Sequence, residues 1–198
     1  MSLHARAPLR VDFAGAWSDD VRFSSSEIGC VVNATIASYV HVDVLTVGGK
    51  TIRLHSEDLR EHVTITSPRQ LAYDGRLDRH KAALNMLPLT GGVEILSRTE
   101  VPPGSGLGEN AALDTALLAA LARGRLEEYD TLELADLGMM LERDELGFPE
   151  ARQDFCSTVS GGFRDLRFQD DGIVSNEIAI AEEAAADQFE ITIDVQGE

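Results

Sequence analysis

Apolar and polar residues alternate over residues 9–13, and the run 39–47 is rich in β-branched and aromatic side chains; both are signatures of extended chain. Residues 51–55 and 62–66 continue the pattern, and Gly48-Gly49 reads as a hairpin turn. The first third therefore predicts a β-meander. Between 74 and 88 the period changes: Leu77, Ala82, Leu84 and Leu87 fall at helical spacing until Pro88 stops the helix, and 93–96 returns to a strand. A Pro-Gly loop over 99–108 leads into a helix of strong formers at 111–121, and a second helix spans 132–146 before Gly147 and Pro149. Strand-like runs at 161–168, 173–180 and 189–195 close the chain. Strands, then helices, then strands, with no repeat or linker, predict one α+β domain rather than a doubly wound sheet.

Composition narrows the function more than the fold. Of 198 residues 43% are hydrophobic, enough for a core, while 34 acidic side chains against 17 basic ones leave a net charge of −17. Such a surface repels phosphate backbones and anionic headgroups, so neither a nucleic-acid nor a membrane partner is expected. The most apolar stretch, 111–122, is broken by Asp114 and Thr115, and the first residues lack an apolar signal region, so the expected location is cytoplasmic. Cys30 and Cys156 are too few for a disulfide framework or a zinc site. His41 and His55 lie in strand-like runs with no carboxylate partner in the pattern and read as structural.

Chemistry concentrates in V-P-P-G-S-G-L-G-E-N-A-A, residues 101–112, whose glycines at 104, 106 and 108 precede a helix. Backbone N–H groups and a helix N-terminus can converge there on an anion. No Gly-Lys-Ser/Thr closes the loop, which excludes a Walker A motif, and the glycine spacing departs from the dinucleotide fingerprint. Pro102-x-x-x-Gly106-Leu107-Gly108 followed by Ala111-Ala112 resembles the P-x-x-x-G-L-G-S-S-A-A motif of the GHMP small-molecule kinases. Residues 7–19 resemble the first motif of that family's sugar kinases, Asn33 to Ile36 are also similar, and Arg152-Gln153-Asp154 with Gly161-Gly162-Phe163 resemble their Q-D…G-G-F segment. The likeness is closest to the heptose-7-phosphate kinase and fucokinase branch.

The resemblance implies the family's N-terminal, ATP-binding domain over residues 1–198, an α+β two-layer fold like ribosomal protein S5 domain 2, without the family's C-terminal domain. It implies ATP-dependent transfer of a phosphoryl group, with Mg²⁺, to a hydroxyl of a sugar or sugar phosphate, the anomeric one included; because the family closes its sugar site with the second domain, this chain alone is expected to be impaired in turnover. Pro102, Gly104, Ser105, Gly106, Leu107, Gly108 and Asn110 match the nucleotide loop, Asn110 and Glu142 the metal-binding positions, and Trp17, Ser18 and Asp19 the sugar-binding turn. Asp154 matches the base and Arg10 its basic partner, an ion pair expected to keep the carboxyl ionised and oriented. Residue by residue, blander readings stand beside these: Arg10 as a surface arginine, Trp17 in the core, and Glu142 with Glu145 on a solvated helix edge.

Several positions depart from the family. Glu109 and Asn110 replace a Ser-Ser or Gly-Ser pair, and a carboxylate about 5 Å from a phosphate costs about 3 kcal/mol per facing charge at an effective dielectric near 20. Glu150-Ala151 stands where a Gly-Gly pair is usual, Ala16 where glycine is preferred, and Phe155-Cys156 in place of a polar-aromatic pair. An alternative therefore stays open: a pseudokinase or ligand-binding and interaction module that keeps the fold. Apolar surface left by the missing second domain would then be covered by a homodimer or by a separate C-terminal partner.

Overall fold

The longest strand, β2 (Gly29–Val47), organises the sheet. A computed structural model describes residues 1–15, 17–125, 127–149, 152–169, 172–179 and 190–194. Along one side β2 pairs antiparallel with β1 (Ser2–Ala14); its other side is divided between β6 (Phe163–Gln169), which pairs with its first part, and β5 (Gly92–Thr99), which pairs with its last. β3 (Ile52–Ser56) and β4 (Glu61–Ile65) extend the sheet beyond β5, β7 (Gly172–Glu177) pairs with β6, and β8 (Glu190–Asp194) pairs antiparallel with β1.

Gly48-Gly49 does not close a hairpin between β2 and β3, because β5 lies between them and runs parallel to β3. A parallel neighbour needs a long crossover, which β4 and α2 (Asp78–Met86) provide. The central place goes to the strand that buries Val93 and Ile95.

Helices form the second layer. α3 (Glu109–Gly124) lies along β1 and β2, so that its Leu117, Leu118 and Leu121 meet the inward row Leu3, Ala5, Ala7 and Leu9 of β1. α4 (Thr131–Met140) begins with a capping box between Asp130 and Glu133 and does not run to residue 146 as one α-helix: Leu141–Glu145 forms a wider π turn. A single turn, α1 (Val21–Ser24), follows β1, and α5 (Arg152–Ser160) occupies a stretch whose Ser, Thr and Val content gave no helical signal. The histidine expectation is corrected as well: His41 has a partner carboxylate, Glu100, at 2.8 Å, supplied by the chain just after β5, and His55 Nε2 lies 3.4 Å from a carboxylate oxygen of Glu94 in β5. Among the described residues no helix is long and apolar enough to cross a membrane.

Candidate active site

Register shifts in β1 between Pro8 and Leu9 and between Asp12 and Ala14 bracket Arg10, re-aiming it off the regular pleat toward the helix layer. Arg10 is buried rather than a surface residue. Its Nε and Nη2 donate to Asp154 Oδ1 at 2.8 and 2.6 Å, and its Nη1 donates to the Gly106 carbonyl at 2.9 Å. Its backbone N–H donates to the Leu107 carbonyl at 2.9 Å. Both carboxylate bonds fall on Oδ1, so Oδ2 takes no bond from Arg10. Asp154 sits in the first turn of α5, where the helix field favours an anion. The position of α5 depends on Gly138 of α4, since a Cβ there would lie 2.3 Å from the buried Phe155 ring. Burial nevertheless raises the Asp154 carboxyl to about 6; Arg10 opposes this, while Asp12 and Asp19 reinforce it. The ion pair thus orients the group, but desolvation outweighs it.

Gly104, Gly106 and Gly108 all take positive φ, coiling the loop ahead of α3. Gly108 is required twice over, by φ +77° and by Arg10 Cγ, which a Cβ would approach to 3.0 Å. Pro102, Gly104, Ser105 and Gly106 are exposed, and Leu107 packs its side chain on the core while its carbonyl anchors Arg10. Gly108 caps α3 without a side-chain bond, which leaves first-turn amides for a ligand. One loop amide is already taken: Gly104 N–H donates to Glu109 Oε2 at 3.2 Å. The Glu109 carboxylate therefore turns into the loop, and burial raises its pKa. Pro103, Gly104, Glu109 and Asn110 line a cavity of about 430 Å³. Its volume and the uncapped amides fit a nucleotide, while Glu109, Asp58 and Asp78 on its lining set negative charge against phosphate.

Glu142 is buried, not part of a solvated edge, and the π turn brings it against α2. Arg79 Nη2 donates to its Oε1 at 2.9 Å while Arg79 Nη1 donates to Asp114, a residue with no exposed side chain. Burial pushes Asp114 up to about 7 despite the guanidinium. Glu145 goes elsewhere, accepting from the Tyr73 hydroxyl. Asn110 and Glu142 line the same cleft, yet the donor set does not fit Mg²⁺ as it stands. Among the described residues no three His, Cys, Asp or Glu side chains converge as ligands.

Beside the loop a second cleft of about 560 Å³ is lined by Arg10, Asp12, Trp17, Asp19, Gln153 and Asp154, among others. Trp17 is 82% exposed, which removes it from the core. Asp19 is buried and accepts from the Gln153 N–H at 3.1 Å; burial raises its pKa. Ser18 is not on the cleft wall: its hydroxyl donates within the turn to the Gly15 and Cys30 carbonyls and accepts from Cys30 N–H. Asp12 Oδ1 and Gln153 Oε1 are buried acceptors without a partner among the described residues. Ala16, Glu150 and Ala151 lie outside the described residues. The sequence reading missed Arg79 and Asp114, although one acid inside the Ala/Leu helix at 111–121 was itself a sign of a buried cation nearby.

Residues 76–162 match the GHMP kinases N terminal domain. The chain is 29% identical over 174 residues to a D-glycero-alpha-D-manno-heptose 7-phosphate kinase of Campylobacter jejuni, covering 84% of this chain and 51% of that protein. It is 27% identical over 151 residues to a bifunctional fucokinase/GDP-fucose pyrophosphorylase of Arabidopsis thaliana, covering 69% of this chain and 14% of the relative. A crystal structure of a D-glycero-D-manno-heptose 1-phosphate kinase from Bacteriodes thetaiotaomicron superposes with a TM-score of 0.84 at 26% identity, over 91% of this chain and 61% of that one. The chain thus spans about half the length of the heptose 7-phosphate kinase it matches. The fold, the glycine loop and the matched segment agree: residues 76–162 match the N-terminal domain of the GHMP kinases, and the chain has the fold of that domain.

Proposed function

We propose that the chain binds ATP against the glycine loop and phosphorylates a hydroxyl of a sugar or sugar phosphate. One observation carries the reading: Arg10 bonds Asp154 and the Gly106 carbonyl at once, so the base candidate stands one side chain from the phosphate-binding loop. The nucleotide cavity and the cleft also share a wall of Arg79, Asn110 and Phe148, the arrangement a donor and an acceptor need. When bound, ATP supplies the phosphoryl group. Asp154 Oδ2 accepts the proton of the attacking hydroxyl, and a pKa near 6 leaves it mostly ionised at neutral pH while keeping it basic enough for the task. Arg10 holds Oδ1 and fixes the carboxylate plane. Asp12, Asp19 and Gln153 offer acceptors to further hydroxyls, and Trp17 offers an apolar face to a sugar ring. The heptose phosphate kinases and the fucokinase among the relatives support the same substrate class.

A second reading rests on Glu109, whose carboxylate occupies the Gly104 amide and favours a ligand-binding domain without turnover. An ADP-release assay with ATP against heptose phosphates, fucose and hexoses separates the two. The kinase reading expects substrate-dependent ADP that Asp154→Asn abolishes; saturable ATP binding with no ADP from any acceptor supports the second.

A further inference from the structure

We infer that the acceptor taken by the Asp154 cleft is an uncharged sugar, and that the cleft rejects the phosphate ester of that sugar because no cation on its described wall is free to receive a phosphate. The inference rests on the acceptor-cleft reading above and goes beyond it in deciding between the two substrate classes.

Five acids and two arginines line the cleft among the described residues. Each arginine is already matched by two carboxylates. Arg10 donates to Asp154 through Nε and Nη2, and its Nη1 lies 3.3 Å from Asp12 Oδ2. Arg79 donates to Asp114 and Glu142. Two arginines beyond the wall are engaged as well: Arg22 donates to both oxygens of Asp20, and Arg152 donates to the Ser24 hydroxyl at 3.0 Å and lines a different cavity. Negative charge is therefore in excess on the wall, where a phosphate ester would bring more of it.

What the wall lacks is hydrogen-bond donors. Asp12 Oδ1 and Gln153 Oε1 are buried acceptors without a partner among the described residues, and Gln153 is only 8% exposed. A sugar hydroxyl can donate to such oxygens, whereas a phosphate dianion has no proton to give. Trp17 holds a φ of +72°, a costly conformation for a bulky side chain, and presents its ring to the cleft as an apolar face suited to the C–H side of a sugar. Charge acts on the base too. Asp12 and Asp19 already push the Asp154 carboxyl upward, and a dianion beside them would push it further, depleting the ionised form that accepts the hydroxyl proton.

Trp17 is the one tryptophan of the sequence, so its emission reports on the cleft. The 198-residue chain is titrated at pH 8, where a phosphate monoester is a dianion, with fucose, hexoses and a heptose, with the terminal phosphate esters of the hexoses and heptose, and with 6-O-acetyl hexoses. The parent sugar is expected to bind at least about tenfold tighter than its phosphate ester, and the acetyl ester, which adds bulk without charge, within about threefold of the parent. Asp12→Asn, which keeps the size and removes one charge, is expected to narrow the ratio of sugar to phosphate ester by about threefold or more. A phosphate ester that binds as tightly as its parent or tighter would overturn the inference and leave the sugar site standing. So would rejection of the acetyl ester, which would make size the cause, or an unchanged ratio in the folded Asp12→Asn chain. No saturable change in emission and no calorimetric heat with any sugar or ester would overturn the acceptor-cleft reading and this inference together.

Discussion

Arg10 and Asp154, 144 positions apart, meet through two hydrogen bonds that both end on Oδ1 of the carboxylate. Convergence on one oxygen distinguishes this pair from an ordinary side-by-side ion pair, because it orients the acid while Oδ2 takes no bond from Arg10. The same guanidinium bonds the Gly106 carbonyl, so a change at any of the three residues is transmitted to the others.

Asp154→Asn is expected to lower phosphoryl transfer by about 10² to 10⁴ while leaving the dissociation constant for ATP within about twofold, because the group acts on the acceptor. With the wild-type carboxyl at about 6, kcat/KM should fall as pH drops below that value. Rates across pH 5 to 8 check both; a flat profile in this range, or an active Asp154→Asn enzyme, excludes Asp154 as the base.

The same shift makes a stability prediction with the opposite pH sense. The folded chain holds the Asp154 proton more tightly than the unfolded chain does, about 6 against 3.8. Its favourable contribution is therefore complete below about pH 4 and is lost as pH rises to about 6. The loss amounts to about 3 kcal/mol at most. Urea titrations at pH 4, 5 and 6 should show a smaller decline for Asp154→Asn than for wild type; equal slopes would contradict the buried, protonated-state preference.

Glu109→Ser with Asn110→Ser removes the carboxylate that occupies the Gly104 amide. ATP binding should strengthen about tenfold or more through relief of charge repulsion and release of that donor. Calorimetry on the double variant is the check, and unchanged heats would mean that Glu109 swings away from the phosphates.

Gly138→Ala tests the seat of α5. Alanine favours a helix by about 1 kcal/mol, but its Cβ would lie 2.3 Å from the fully buried Phe155 ring. Overpacking of this kind costs about 1 to 3 kcal/mol, so net destabilisation is expected together with a loss of activity from displacement of Asp154. A variant at least as stable as wild type would show that the α4–α5 contact yields easily.

Trp17→Ala should raise KM for the sugar with little change in Tm, since the ring is 82% exposed and contributes no core packing. A large drop in Tm with unchanged KM would assign the ring a structural role instead.

Much of the fold was legible because its signals are local. Alternation at 9–13 and 39–47 foretold parts of β1 and β2, Pro88 marked the end of α2, and the spaced glycines foretold a coiled loop before α3. Each depends on steric preferences within a few residues, which the sequence alone determines. What only the tertiary structure decided involves partners far apart in the chain. β5 entered between β2 and β3 because a crossover, not the Gly-Gly turn, set the pairing. α5 formed from weak helix formers because Phe155 could close on Gly138. The site followed the same rule: the loop and Asp154 were readable as motifs, but the neutralisation of Glu142 needed Arg79, 63 positions away, and the turn of Glu109 into the loop needed the coil of three glycines. A buried charge is satisfied by whatever group packing brings within reach, and one-dimensional spacing does not record that distance.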